Sequence, residues 1–443
     1  MNLRKKLTGG GLFAVLAGLL FLPGCGGSSS TITTTTTTST PVANSVPVSV
    51  NSGPGNNALN AAYVTVQVCN PGGTTNCATI PDVQVDTGSS GLRILASAPG
   101  VSNLTLTQVT GNGTPVYECV QYADGNYVWG QLEQADVSIA GENATNVPIQ
   151  VIASAAAPAN VSSTCASGGG NNLGTSTALQ ANGILGVGPA QQDCGILCTE
   201  SSEVLPYYWL CASTSSPCTT NAAVPTATQV SNPVAFFNSD HNGVMLTMDS
   251  VGSSGAASGS GTLYFGIGTQ TDNALSSSAK VYALSPTTQN ELVYNSISAT
   301  YNNVTYSAYV NSGEFINFFL DPATVAAAPA GAGITNCPLN SGFYCTSSAV
   351  ILPFTAKDND GDSAQVSINI GDGTTLLKSS VALQNGGSNT AFSNLAGGYA
   401  LANDEVILGL PFFYGRTVYV GIAGEAPPSG VSTSFAAAGY WAF

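Results

Sequence analysis

Few side chains in this sequence can do acid–base or nucleophilic chemistry, and one short run gathers several of them. Val83-Gln84-Val85 alternates like a strand and leads directly into Asp86-Thr87-Gly88-Ser89-Ser90. Such a strand would deliver the Asp86 carboxylate to the tip of a tight turn. Gly88 would let backbone approach closely, and the Thr87 and Ser89 hydroxyls would orient the carboxylate. A carboxylate held in this way suits general-base activation of a water. The chain has one histidine, His241, inside the turn-like Asn238-Ser239-Asp240-His241-Asn242-Gly243. A Ser–His–Asp triad would depend on it, and no nucleophile elbow accompanies it, so a solvated turn histidine is expected.

Composition narrows the classes further. Of 443 residues only 7% are charged and 43% are hydrophobic, and Lys+Arg 8 against Asp+Glu 23 gives a net charge of −15. Phosphate-backbone binding draws on Lys and Arg, so nucleic acid is excluded as a partner. A lone histidine removes His-rich metal centres, and neither a metal nor a cofactor is expected. Asp358-Asn359-Asp360-Gly361-Asp362 has the oxygen density of a calcium loop but lacks a distal Glu; a polar hairpin turn accounts for it equally.

Residues 1–24 read as an export signal, with Arg4, Lys5 and Lys6 before the apolar run Leu12 to Leu22. Leu22-Pro23-Gly24-Cys25 resembles a bacterial lipobox, which implies cleavage before Cys25 and a lipid on its thiol and amine. The cell envelope is then the expected location, anchored at the outer membrane because Gly26 and not Asp follows the cysteine. Residues 25–58 read as a lipidated start and a flexible Thr/Ser-rich stalk, reaching about 30 Å. Ten further cysteines remain, and an oxidising compartment favours up to five disulfides. Cys69 with Cys77 and Cys337 with Cys345 would close short loops. Cys194, Cys198, Cys211 and Cys218 cluster, with zinc as the rival to disulfides, and Cys119 and Cys165 are left for each other. Tyr207, Tyr208 and Trp209 adjoin the cluster and should pack beneath it. A monomer is expected.

The elements that must position Asp86 are strands. Val64, Val66 and Val68 alternate with polar residues, as do Thr417 to Ile422 and Ala364 to Ile368, and Gly/Asn/Ser clusters punctuate them. The fold class is therefore all-β.

The Asp-Thr-Gly-Ser-Ser turn resembles the first active-site loop of pepsin-like aspartic peptidases. Asn182-Gly183-Ile184-Leu185-Gly186 resembles the apolar-apolar-Gly segment that threads behind that loop, and Gly261 to Gly266 resembles a strand near the start of the second lobe. A second set follows, Ala308-Tyr309-Val310-Asn311-Ser312-Gly313 with Val406-Ile407-Leu408-Gly409. Asp86 to Gly186 is 100 positions and Asn311 to Gly409 is 98. The set, with Gly409-Leu410-Pro411-Phe412-Phe413, also resembles a bacterial lipoprotein family of unknown function related to these peptidases. The resemblance implies two lobes about a pseudo-twofold axis, a cleft holding Asp86 and Asn311, and a flap carrying Tyr122, Gly125 and Trp129. It also implies that a peptide or unfolded segment would lie in the cleft as an added strand. The doubled turn motifs, through the family they resemble, imply an N-terminal lobe over 59–200, a Cys-rich connection over 201–260, a C-terminal lobe over 261–427 and a tail over 428–443.

The second loop departs from the family. It reads Asn311-Ser312-Gly313-Glu314 where an Asp is required, and Glu314 stands where the first loop has Ser89. Aspartic peptidases use two carboxylates that share one proton, and an amide neither accepts nor gives that proton. Asp86 is then expected to ionise near an ordinary value, as a single group. Three readings follow: a degenerate, peptide-binding or structural relative of the peptidases; an active endopeptidase in which Glu314 compensates; or a surface display protein.

Overall fold

The computed structural model describes residues 43–73, 76–122, 125–153, 159–199, 207–289, 292–338, 342–358, 360–383, 387–398 and 405–443. The expected export signal, Cys25 and the threonine run lie outside the described residues. The first strand is β1 (Ser45–Val50). Seven strands then build the first lobe: β2 (Ala62–Cys69), β3 (Cys77–Asp86), β4 (Ser90–Leu95), β5 (Thr114–Gln121), β6 (Tyr127–Ile139), β7 (Glu142–Ile152) and β8 (Gly183–Val187). After them come β9 (Gly243–Met248), β10 (Gly259–Phe265) and β11 (Val281–Ala283). The second lobe holds β12 (Leu292–Tyr301), β13 (Val304–Val310), β14 (Asn317–Phe319), β15 (Val350–Lys357), β16 (Ser363–Ile370), β17 (Ala396–Gly398) and β18 (Glu405–Leu408). The chain closes with β19 (Thr417–Gly421) and β20 (Tyr440–Ala442).

Alternation makes these strands. In β2 the valines 64, 66 and 68 are buried while Thr65 and Gln67 face outward, the period expected of a pleated strand with one dry face. Tight turns set the registers. Asn302 and Asn303, both at positive φ, join Tyr301 to its partner Val304, the two-residue hairpin that Asn tolerates best after Gly.

The two lobes repeat one pairing scheme. β2 and β12 each form an antiparallel hairpin with β3 and β13. β8 lies parallel to β3 and antiparallel to β4, as β18 lies parallel to β13 and antiparallel to β14. β7 runs parallel to β4, and β17 parallel to β14. The fold is all-β and two-lobed, with the pseudo-twofold internal symmetry that the matched spacings imply.

Six strands in the order β1-β10-β9-β19-β20-β11 extend the first lobe's sheet, joined to it where β1 pairs with β2. They correct three sequence boundaries. The stalk does not extend to residue 58, because Val48 and Val50 are buried where β1 pairs with β10 and β2. The connection over 201–260 contains β9, a central strand of this sheet. The tail over 428–443 contains β20, whose Tyr440, Trp441 and Ala442 are buried. Asn60 adds a polar tie: its buried side chain donates to Phe315 O at 2.8 Å and accepts from the Phe392 N–H at 2.7 Å.

Five disulfides are formed: Cys69–Cys77, Cys119–Cys165, Cys194–Cys198, Cys211–Cys218 and Cys337–Cys345. The four clustered cysteines are thus oxidised in sequential pairs and are not zinc ligands. Among the described residues no helix is long and apolar enough to cross a membrane.

Candidate functional site

β3 ends on Asp86, and β13 ends one residue before Asn311. Each is steadied by its parallel neighbour up to its last residues, Asp86 opposite Gly186 and Val310 opposite Leu408. The two turns that follow interlock. Thr87 Oγ1 donates to Val310 O at 3.0 Å and accepts from the Ser312 N–H at 2.9 Å. Ser312 Oγ donates to Val85 O at 2.8 Å and accepts from the Thr87 N–H at 3.1 Å. Both hydroxyl residues are fully buried, so water does not compete for these bonds. Each hydroxyl makes the same pair of contacts across the pseudo-twofold axis.

Inside each turn the glycine N–H reaches back to the preceding polar side chain. Gly88 N–H donates to Asp86 Oδ1 and Gly313 N–H to Asn311 Oδ1, both at 2.8 Å. No other residue fits at these glycines. A Cβ at Gly88 would sit 2.2 Å from Asn311 Cγ, and one at Gly313 would sit 2.6 Å from Asp86 Oδ1. Asp86 and Asn311, far apart in sequence, therefore share one place.

The turns then diverge. Ser89 Oγ donates to Asp86 Oδ2. Its counterpart Glu314 is half-buried; its N–H donates to Asn311 O at 3.2 Å and its carbonyl accepts from the Leu410 N–H at 2.8 Å. Burial raises the Asp86 pKa above the usual carboxylate range, while the hydrogen bonds from Ser89 and Gly88 and the charge of Arg93 pull it back. The ordinary value expected from an amide neighbour is thus corrected: removal from water raises it without a second carboxylate. The pair consists of one acid that ionises late and one amide. It can exchange hydrogen bonds with a ligand but cannot share a proton.

The hairpin of β5 and β6 carries the residues that the resemblance assigns to a flap. At its turn the Tyr122 N–H donates to Asn126 O at 2.8 Å and the Gly125 N–H to Tyr122 O at 2.9 Å. Gly125 has φ +83°, and a Cβ there would meet Gly168 O at 2.6 Å, so glycine is required. Tyr122 is half-buried against the main core and within electrostatic reach of Arg93. Trp129 is not a cleft residue. It is fully buried, stacks on Tyr117 at 5.6 Å and donates to Asn160 Oδ1 at 3.2 Å, among Cys119, Cys165, Cys211 and Cys218. Its strand position puts it on the dry face of the hairpin, packed against the Cys119–Cys165 and Cys211–Cys218 disulfides. Tyr208 and Trp209 are buried on a short strand that adds to β5.

Sequence reasoning missed a group beside the site. Arg93 Nη2 donates to Glu118 Oε1 at 2.6 Å and to Asp193 Oδ2 at 3.0 Å, and Tyr208 OH donates to Asp193 Oδ1 at 2.6 Å. All four side chains are buried. Burial drives the Glu118 carboxyl well up against the opposing pull of Arg93, and Asp193 adds to the rise. One guanidinium faces two carboxylates. The group fastens β5 to β4, directly after the Asp86 turn. Its signal was a cation inside β4, a strand buried at every position.

The remaining candidates are structural. His241 Nδ1 lies 2.7 Å from Glu425 Oε2, so this exposed histidine has an acidic partner as well as solvent. Asp358 Oδ1 accepts from the Asp362 N–H within the hairpin turn at 2.8 Å, and its Oδ2 accepts from the Ala283 N–H of β11 at 3.1 Å. Asn359 lies outside the described residues.

A protein-family profile described as "Protein of unknown function (DUF3443)" matches residues 40–443. No curated protein matches the chain. Among solved structures, the aspartic proteinase from Irpex lacteus is similar at 16% identity over 85% of this chain and 93% of that one, with a TM-score of 0.44. The fold assignment rests on the strand pairings repeated within the chain.

Proposed function

The chain belongs to the family of proteins of unknown function DUF3443, and from the chemistry of its paired loops we propose that it is an exported, non-hydrolytic peptide-binding relative of the pepsin-like aspartic peptidases. One observation carries the proposal. The two turns keep the reciprocal Thr87–Ser312 hydrogen bonds and both close-contact glycines, yet one of the two polar side chains they hold is an amide. The scaffold is intact and the proton-sharing chemistry is removed.

Peptide hydrolysis on such a pair needs one carboxylate to take a proton from water while the other, protonated, polarises the scissile carbonyl. Asn311 can do neither at ordinary pH. Protonated Asp86 can still donate to a peptide carbonyl, and the Asn311 amide can donate or accept. An extended segment would add as a strand under the β5–β6 hairpin, with main-chain hydrogen bonds giving affinity. The lipobox-like Leu22 to Cys25 supports anchoring through a lipid on Cys25 at the outer membrane.

The test uses an unfolded protein and a labelled extended peptide between about pH 3 and 7, the window of a shared carboxylate pair. The expected result is peptide capture without cleavage by the native sequence, loss of capture in Asp86→Ala, and acid-dependent cleavage by Asn311→Asp. Cleavage by the native sequence that disappears in Asp86→Ala and with a pepstatin-type inhibitor would overturn the non-hydrolytic reading. Absence of capture at every pH would overturn the binding reading.

A further inference from the structure

A cavity of about 520 Å³ opens between the edge strand β16, strand β19 and the segment before β11. Its size suits a small organic molecule. It contains neither Asp86 nor Asn311. We infer that it is a binding site for a small aromatic carboxylate.

The charge comes from Arg416. This chain has Lys+Arg 8 against Asp+Glu 23, and Arg416 is one of its few cations. Arg416 lines the cavity, half-buried, and makes hydrogen bonds to two backbone carbonyls, Phe412 O at 2.6 Å and Ser367 O at 3.3 Å. Its guanidinium lies 4.3 Å over the Phe412 ring. Among the described residues it has no carboxylate partner, and burial lowers its pKa as for a cation lacking a counter-ion. The second cation at the cavity, Lys280, is already committed to Asp362 at 2.6 Å.

Tyr282 supplies an independent sign. Its side chain is fully buried on the cavity wall, and its hydroxyl has no hydrogen-bond partner among the described residues. The hydroxyl is within electrostatic reach of Asp358 and Asp362 but bonded to neither, which leaves a donor at the cavity for an acceptor oxygen. The other walls are aromatic. Phe443 stacks on Tyr282 at 5.0 Å and meets Phe412 edge-on at 5.2 Å, and Tyr419 borders the same space.

These features select the ligand class. One uncompensated charge calls for a monoanion, and the planar fork of Arg favours a planar carboxylate. An acceptor oxygen satisfies the Tyr282 hydroxyl. The surrounding rings favour an aromatic body over a bare anion.

The test is a titration of the protein at pH 7 with benzoate, followed by amide chemical shifts, with benzamide, acetate and phenyl phosphate as comparison probes. Benzoate should shift resonances of residues 276–282, 364–367 and 416–419, and benzamide should bind at least about tenfold more weakly, the loss of a charge-assisted contact. Acetate and phenyl phosphate should both be weaker than benzoate. Arg416→Gln should abolish binding. Because Arg416 also holds two carbonyls, Tyr282→Phe keeps the test separate from folding: it should weaken benzoate roughly fivefold without lowering stability. The site is overturned if benzoate causes no shift there, if benzamide binds equally well, or if Tyr282→Phe binds benzoate unchanged.

Discussion

At the scale of single residues, the two turns differ in polarity as well as in one atom. Asp86 presents an acceptor oxygen to the Ser89 hydroxyl, a donor. The second turn carries Asn311, whose amide nitrogen is a donor, followed by Glu314, an acceptor. Asn311→Asp by itself therefore places two carboxylates three residues apart in one turn. We expect Asn311→Asp/Glu314→Ser to exceed the single variant in acid-dependent cleavage. It should also exceed it in neutral-pH stability by on the order of 1 kcal/mol, about one pKa unit of repulsion. Paired urea titrations and peptide cleavage rates check both. Proton linkage at Asp86 gives a second expectation. A bound peptide would remove further water from a carboxyl that already ionises late, so capture should strengthen as pH falls through its raised pKa; capture that is flat from pH 3 to 7 contradicts the donor role. Glu133 offers a case outside the site. Burial pushes its carboxyl up to about 7, so the folded chain holds that proton more tightly than the unfolded one. Its stabilising contribution is complete below about pH 4.5 and is lost as pH rises towards 7. Glu133→Gln should remove that slope, a difference on the order of 1 kcal/mol for a half-exposed group, read from urea midpoints at pH 5 and pH 8.

At the scale of elements, the turns are held by reciprocity. Thr87→Val leaves the Ser312 N–H and the Val310 carbonyl unpaired in a dry place, which should cost about 2–5 kcal/mol, while Thr87→Ser should restore most of it. Chemical denaturation of the three proteins checks this. The sequence made these turns legible because both are a strand, a polar residue, a hydroxyl and a glycine at matched distances from a second glycine. It did not reveal how the hydroxyls cross, since hydrogen bonds over more than two hundred residues leave no local pattern. Trp129 was misplaced for a related reason: alternation assigns a side chain to a face, but only the packed hairpin shows which face is dry. Arg93 was legible as an anomaly, a cation in an apolar strand, while its partners Glu118 and Asp193 stand on elements that no spacing connects. The disulfides divide in the same way. Short loops identified Cys69–Cys77 and Cys337–Cys345, whereas the cluster had to be resolved by geometry. Opening Cys119–Cys165, which spans 46 positions, should cost roughly 4 kcal/mol against roughly 2 kcal/mol for Cys194–Cys198, which spans 4. Thermal unfolding of the two paired Cys→Ala variants tests the order.

At the scale of the whole molecule, the six-stranded extension of the first lobe's sheet was the least legible part. Its strands come from both ends and the middle of the described chain, and several looked like stalk, connection or tail because Ser, Thr and Gly surround them. Val46, Val48 and Val50 do alternate, but a Thr-rich context hid the pattern. Removing residues 43–58 should therefore not act as trimming a linker. It exposes the edge of β10 and loses two buried valines at about 1.5–3 kcal/mol each, so a fall of several kcal/mol or aggregation is expected. The same strands join segments that are distant along the chain. β1 pairs with β10, which begins more than two hundred residues later, and β20 lies between β19 and β11. Loops of that length are slow to close, so the pairing of β1 with β10 is expected among the slow steps when the unfolded protein is returned to native conditions.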